Sequence, residues 1–199
     1  MILGFASYIM SFMTQNLDIN LDKPIVMVGL MGAGKTSVGR MLARKLDIPF
    51  VDSDKEIEAA AGCSIVDIFS LYGEEEFRRV EERVLSRLLS SPPYLKVIST
   101  GEGAFISPDS RKLALEKALT IWLKADLDLL VKRTNFRDTR PQLLNTDSKA
   151  ILSKLIAERY KIYAEAHIVV ETMDEHLSKT LTKTIAAIKK HNKERDMKK

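Results

Sequence analysis

The chain has 199 residues, of which 45% are apolar and 29% charged, with a formal net charge of +4. These values suit one globular domain long enough to bury a core, and they exclude a collagen-like, low-complexity or disulfide-stapled chain. Cys63 is the only cysteine, so no disulfide, zinc cluster or CxxC pair forms within the chain, in keeping with a reducing, cytoplasmic setting.

The opening run "MILGFASYIMSF" is apolar. No Lys or Arg precedes it, no small-residue cleavage site follows it cleanly, and it is too short to span a bilayer. Residues 1–20 are therefore expected to be a disordered leader without chemistry, with Met10 or Met13 as alternative starts. The expected domain is 21–195, followed by a basic tail at 196–199. The stretch "IKKHNKERDMKK" reads as a solvated helix end, not as a nucleic-acid or membrane contact. His167, His176 and His191 have no metal-ligand spacing. No sequence feature marks a dimer surface, and a monomer is expected.

"PIVMVG" (24–29) is an apolar run of strand length ended by glycine. From Thr36 to Leu46 the apolar positions turn helical. "IPFVD" (48–52) reads as a second strand. Helices follow, with stops at Gly62, at Gly73 and at Pro92-Pro93. "KVIST" (96–100), "LTIWLKA" (119–125) and "HIVVET" (167–172) read as further strands, with helical segments near 108–118, 126–134, 148–166 and 174–195. This alternation predicts an α/β fold, a parallel sheet covered on both faces, with ligands at the carboxyl ends of the strands. The polar, arginine-bearing stretch "TNFRDTRPQLLNTD" (134–147) is long for a loop in a compact domain, which points to function.

"GLMGAGKT" (29–36) matches G-x-x-x-x-G-K-[ST] between a predicted strand and a predicted helix. Gly29, Met31, Gly32, Ala33, Gly34 and Ser37 belong to this loop and the turn after it. Its backbone N–H groups converge on phosphate oxygens, and the helix adds the positive end of its dipole. Lys35 suits the β and γ phosphates, and the Thr36 hydroxyl suits Mg²⁺. Asp52 and Asp54 sit two apart at a strand's carboxyl end and share one side if the strand continues. One of them can order Mg²⁺ through water and the other can accept from a substrate hydroxyl. A helix N-cap is the plain structural alternative for Asp54.

The motif from Gly29 through "VDSDKEIE", with "SIVDIF", "GEEEFRRVEE", "VISTGEGAF", "RTNFRDTRPQLL" and "ERYKIYAEAHIVVET", resembles the shikimate kinases over roughly 24–172. The resemblance implies a three-layer P-loop kinase fold, with a five-stranded parallel sheet and a mobile lid. It implies transfer of the ATP γ-phosphoryl group to the 3-hydroxyl of shikimate, with Mg²⁺. It gives Asp52 the metal side and makes Asp54 the binder of the substrate hydroxyls and the base. It places Arg78 and Arg159 on the substrate carboxylate and Phe69 on the pocket wall. Arg140 is implied over the phosphates and Arg133 on the adenine. Arg137 carries over to no family position, and "RPQLL" is one residue longer than the usual "RPLL".

Gly101, Glu102 and Gly103 stand where the family has three glycines, the middle one giving its N–H to the substrate carboxylate. Glutamate keeps that N–H. A left-handed backbone here costs a side chain about 1–2 kcal/mol. Repulsion of a substrate carboxylate at about 4 Å reaches about 4 kcal/mol at an effective dielectric of about 20. Together these weaken binding by orders of magnitude. Glu102 can instead occupy Arg78 or Arg159, or turn to solvent. Two other readings stand behind the main one. Another small-molecule kinase, such as a gluconate type, keeps the phosphate loop but not Asp54, Arg78 and Arg159 together. A non-catalytic nucleotide-binding regulatory protein has only Glu102 in its favour.

Overall fold

The computed structural model describes residues 19–134 and 148–197. Most of the expected leader (residues 1–18), most of the expected lid (135–147, with Arg137 and Arg140) and residues 198–199 lie outside the described residues.

Five parallel strands form one sheet in the order β2-β3-β1-β4-β5. They are β1 (Ile25–Val28), β2 (Phe50–Asp52), β3 (Val97–Ser99), β4 (Leu119–Ala125) and β5 (Ile168–Thr172). β1, flanked by β3 and β4, is buried at all four residues. That is what a strand covered on both faces requires, and why "IVMV" shows no alternation. β5, at the edge, alternates buried and exposed residues.

The helices are α1 (Lys35–Leu46), α2 (Ser53–Ala61), α3 (Ile65–Ser90), α4 (Pro108–Lys117), α5 (Leu127–Thr134), α6 (Ser148–Tyr163) and α7 (Leu177–Asp196). α1 packs with α7, and α3 with α4; the general right-handedness of parallel crossovers assigns the two pairs to opposite faces of the sheet. Local chemistry sets the starts. Ser64 and Asp67 form a reciprocal capping box on α3, and Ser107 caps α4 just ahead of Pro108. α3 breaks at Gly73 (φ 78°, ψ 176°), where the sequence predicts a stop. The first described residues pack against α7: Ile19 is buried, and the Asn192 side chain donates to the Asn20 carbonyl.

Connections leave β1 and β3 in opposite directions across the sheet. The crevice above those two neighbours is where such sheets bind ligands. The phosphate-loop motif follows β1, and the Gly101–Gly103 turn follows β3.

Candidate active site

Beyond β1 the chain passes close under β4. A Cβ on Gly29 (φ +136°) would lie 2.7 Å from the Leu123 carbonyl oxygen, so both backbone and space demand glycine. Met31 and Ala33 are buried, so they fill the core and offer the loop only their backbone. α1 starts at Gly34 without a side-chain cap. Its first N–H groups are therefore suited to an anion. Ser37 sits half-buried in that first turn.

The Lys35 side chain is buried, and its Nζ donates to the Gly29 and Leu30 carbonyls at 2.8 and 3.0 Å. Thr36 Oγ1 donates to Asp52 Oδ2 at 3.1 Å and shares a hydrogen bond with Ser99 Oγ at 3.2 Å. The β2–β3 register sets Asp52 beside Ser99. Two hydroxyls and a carboxylate are hard oxygen donors, a set that fits Mg²⁺. Arg133, near the end of α5, donates to the Gly32 carbonyl at 3.3 Å and the Met173 carbonyl at 3.0 Å, which lays it along the loop's rim.

The strand does not continue from Asp52 to Asp54. β2 ends at Asp52, which caps α2 by accepting from the Asp54 N–H at 3.2 Å. The cap is thus Asp52, and strand alternation does not align the two carboxylates. Asp54 reaches the crevice from the first turn of α2. A Cβ on Gly101 would lie 2.7 Å from its Oδ1.

The turn after β3 is held from below. Thr100 donates to the Met27 carbonyl through its hydroxyl, at 2.9 Å, and the Ser53 hydroxyl accepts from the Gly101 N–H at 3.1 Å. Each turn residue then faces a different element. Gly101 faces Asp54 of α2 and Glu81 of α3. Glu102 faces α6: Tyr163 donates to its carbonyl at 2.6 Å, and Arg159 Nη1 lies 3.3 Å from its Oε1. Gly103 faces Arg78 of α3, and a Cβ there would fall on the guanidinium. Among the described residues Asp47 alone of the non-glycines has positive φ. The backbone cost expected of a left-handed Glu102 therefore does not arise. Gly101 and Gly103 are required by close approach, not by their dihedrals.

Arg78 donates to Glu81 at 2.8 Å and to Glu74 at 3.1 Å, with its guanidinium over the Phe77 ring. Phe69 is half-buried, its ring 4.5 Å from that of Phe77. Arg79 pairs with Glu75 and Glu76 on the surface, 64% exposed. Glu81 is buried. Burial pushes its carboxyl above the ordinary range, Arg78 opposes this, and Asp54 and Glu102 push it further up.

Comparison with known proteins decides the family. The sequence model of shikimate kinase matches residues 31–189. The shikimate kinase of Paramagnetospirillum magneticum is 50% identical over 159 residues, 80% of each chain. That of Caulobacter vibrioides is 51% identical over 152 residues, 76% of this chain and 75% of that one. A shikimate kinase from Acinetobacter baumannii, solved in complex with shikimate, superposes with a TM-score of 0.78 at 37% identity, covering 84% of this chain and 93% of that one. The chain belongs to the shikimate kinase family.

Four residues around the crevice escape a reading of the motifs. Ser99 had a signal, a hydroxyl at a strand's carboxyl end just before Thr100. Glu81 had one too, a carboxylate on the apolar stripe of α3 between Phe77 and Val84. Ser53 and Tyr163 had none, because their roles depend on where α2 and α6 meet the turn.

Proposed function

We propose that the chain transfers the γ-phosphoryl group of ATP to the 3-hydroxyl of shikimate, giving shikimate 3-phosphate for the route to chorismate and aromatic amino acids. One observation carries this reading. Asp54, Arg78 and Arg159, from three helices, converge on the Gly101–Gly103 turn beside the phosphate loop. A carboxylate for the hydroxyl and two guanidiniums for an acid are what such an acceptor needs.

The loop N–H groups from Gly29 to Ser37 receive the phosphates. Lys35 is held on neutral carbonyls, which an anionic phosphate outcompetes because charge-assisted bonds are the stronger ones. Thr36 and, through water, Asp52 would hold Mg²⁺, with Ser99 fixing the Thr36 hydroxyl. When bound there, the metal would supply positive charge that offsets the charge of the phosphates. Asp54 orients the acceptor hydroxyl and takes its proton. Arg78 and Arg159 hold the acceptor's carboxylate, and Phe69 bounds its ring. Arg133 borders the adenine, and Arg140, which lies outside the described residues, is assigned to the transferring charge on the family resemblance alone.

The partners are two small molecules, with no nucleic acid, and the enzyme acts as a cytoplasmic monomer. Among the described residues no helix is long and apolar enough to cross a membrane. The test is ADP release from Mg-ATP in a coupled assay, with and without shikimate. Shikimate-dependent turnover is expected. ATP binding without it would return the alternatives of a different acceptor or a non-catalytic protein.

A further inference from the structure

We infer that Glu102 is a built-in competitor for the acceptor's carboxylate and sets how strongly the enzyme favours acidic acceptors. The inference rests on the acceptor site proposed above. Among the described residues Arg159 and Arg78 bring guanidiniums to the turn, and Glu102 Oε1 lies 3.3 Å from Arg159 Nη1. The two side chains are only 19% and 16% exposed, so water and salt screen this pair little. The other guanidinium, Arg78, already holds Glu81 and Glu74. Both cations that would greet an incoming carboxylate therefore carry carboxylates of the chain itself.

The backbone cannot carry Glu102 away. Its carbonyl accepts from Tyr163, whose ring is fully buried, and whose phenol burial pushes well above its ordinary pKa, so it stays a donor. Tyr163 and Arg159 are four apart on α6 and therefore share a face. One grips the Glu102 carbonyl and the other its carboxylate. An acidic acceptor reaches Arg159 only after the Glu102 side chain rotates out.

Charge argues the same way. Among the described residues, Asp54, Glu74, Glu81 and Glu102 oppose Arg78 and Arg159 around the turn, an excess of negative groups. An acceptor carboxylate would add to that excess. An acceptor without one meets no such competition.

The experiment measures kinetics for the wild type, Glu102→Gln and Glu102→Gly with shikimate and with its carboxamide analogue. Glutamine keeps the size of the side chain and removes its charge. In both variants the KM for shikimate is expected to fall by about tenfold or more, as loss of a like charge at contact range implies. The KM of the carboxamide, or its inhibition constant against shikimate, should move little, and the KM for ATP should stay in place. Equal shifts for both acceptors would mean mere loosening of the turn and would overturn the inference, as would shikimate turnover with unchanged KM. Absence of shikimate-dependent turnover in all three proteins would instead bring down the functional reading, and this inference with it.

Discussion

Two glycine turns on neighbouring strands do opposite kinds of work. The donor loop after β1 turns through Gly29, Gly32 and Gly34, all at positive φ, and its functional groups are backbone N–H groups in one contiguous stretch. In the acceptor turn after β3 neither Gly101 nor Gly103 needs a positive φ. Its functional groups are side chains brought by α2, α3 and α6. On the proposed reading, local chain geometry would bind the phosphates, whereas tertiary packing would bind the acceptor. The second arrangement admits a substitution such as Glu102 that the first could not absorb.

The sharpest way to separate the two sides is Asp54→Asn. It removes the proposed base and leaves the donor loop untouched. Turnover should fall by about 10²–10⁴-fold, the range for general-base catalysis. Displacement of a fluorescent nucleotide should show ATP still bound. Unaltered turnover would take Asp54 out of the chemistry.

Lys35→Met strikes the other side. Loss of a preorganised charge on the transferring group should reduce kcat by about 10²–10³-fold. The KM for ATP should rise while an equilibrium titration finds shikimate binding intact. Weakening of both ligands together would mean that the two turns are not independent.

What was legible in the sequence follows the same division. All five strands and the break at Gly73 could be read, because burial and glycine act locally. The phosphate loop could be read for that reason too. The acceptor side needed the resemblance to bring Arg78 and Arg159 together, since they lie on different helices. Local reading misplaced the Asp52–Asp54 pair, because a cap, invisible to strand alternation, starts α2 between them. It overstated the backbone cost at Glu102, because a glycine-flanked position does not reveal whether dihedrals or close contacts exclude side chains. It left Ser53, Glu81 and Tyr163 unread as partners of the turn.

A pair of alanine substitutions probes that distinction directly. In Gly29→Ala the new Cβ meets the Leu123 backbone at a φ that side chains avoid. A stability loss of about 1–3 kcal/mol is expected, measured by urea unfolding. In Gly103→Ala the atoms nearest the new Cβ are the far end of the Arg78 side chain, not backbone. The fold should yield by moving that guanidinium, so the midpoint should hardly change. The KM for shikimate should instead rise by about tenfold, the loss of one good contact. If both variants lost stability equally, the acceptor turn would be as rigid as the donor loop.

The smallest effect lies in Glu81, and there the sign is the test. Its folded pKa is raised above the ordinary 4.5, first by burial and then by Asp54 and Glu102, with Arg78 opposing. A raised carboxyl favours folding in its neutral form. Its contribution is full below the unfolded pKa and is lost as pH rises through the folded one. Glu81→Gln cannot titrate. The Tm of the wild type minus that of the variant should therefore fall as the pH is raised from about 4 towards neutrality. A difference that grew with pH would mean that the pairing with Arg78 outweighs burial and the neighbouring carboxylates. The acceptor turn would then be a net attractive cluster, not one strained by its own negative charge.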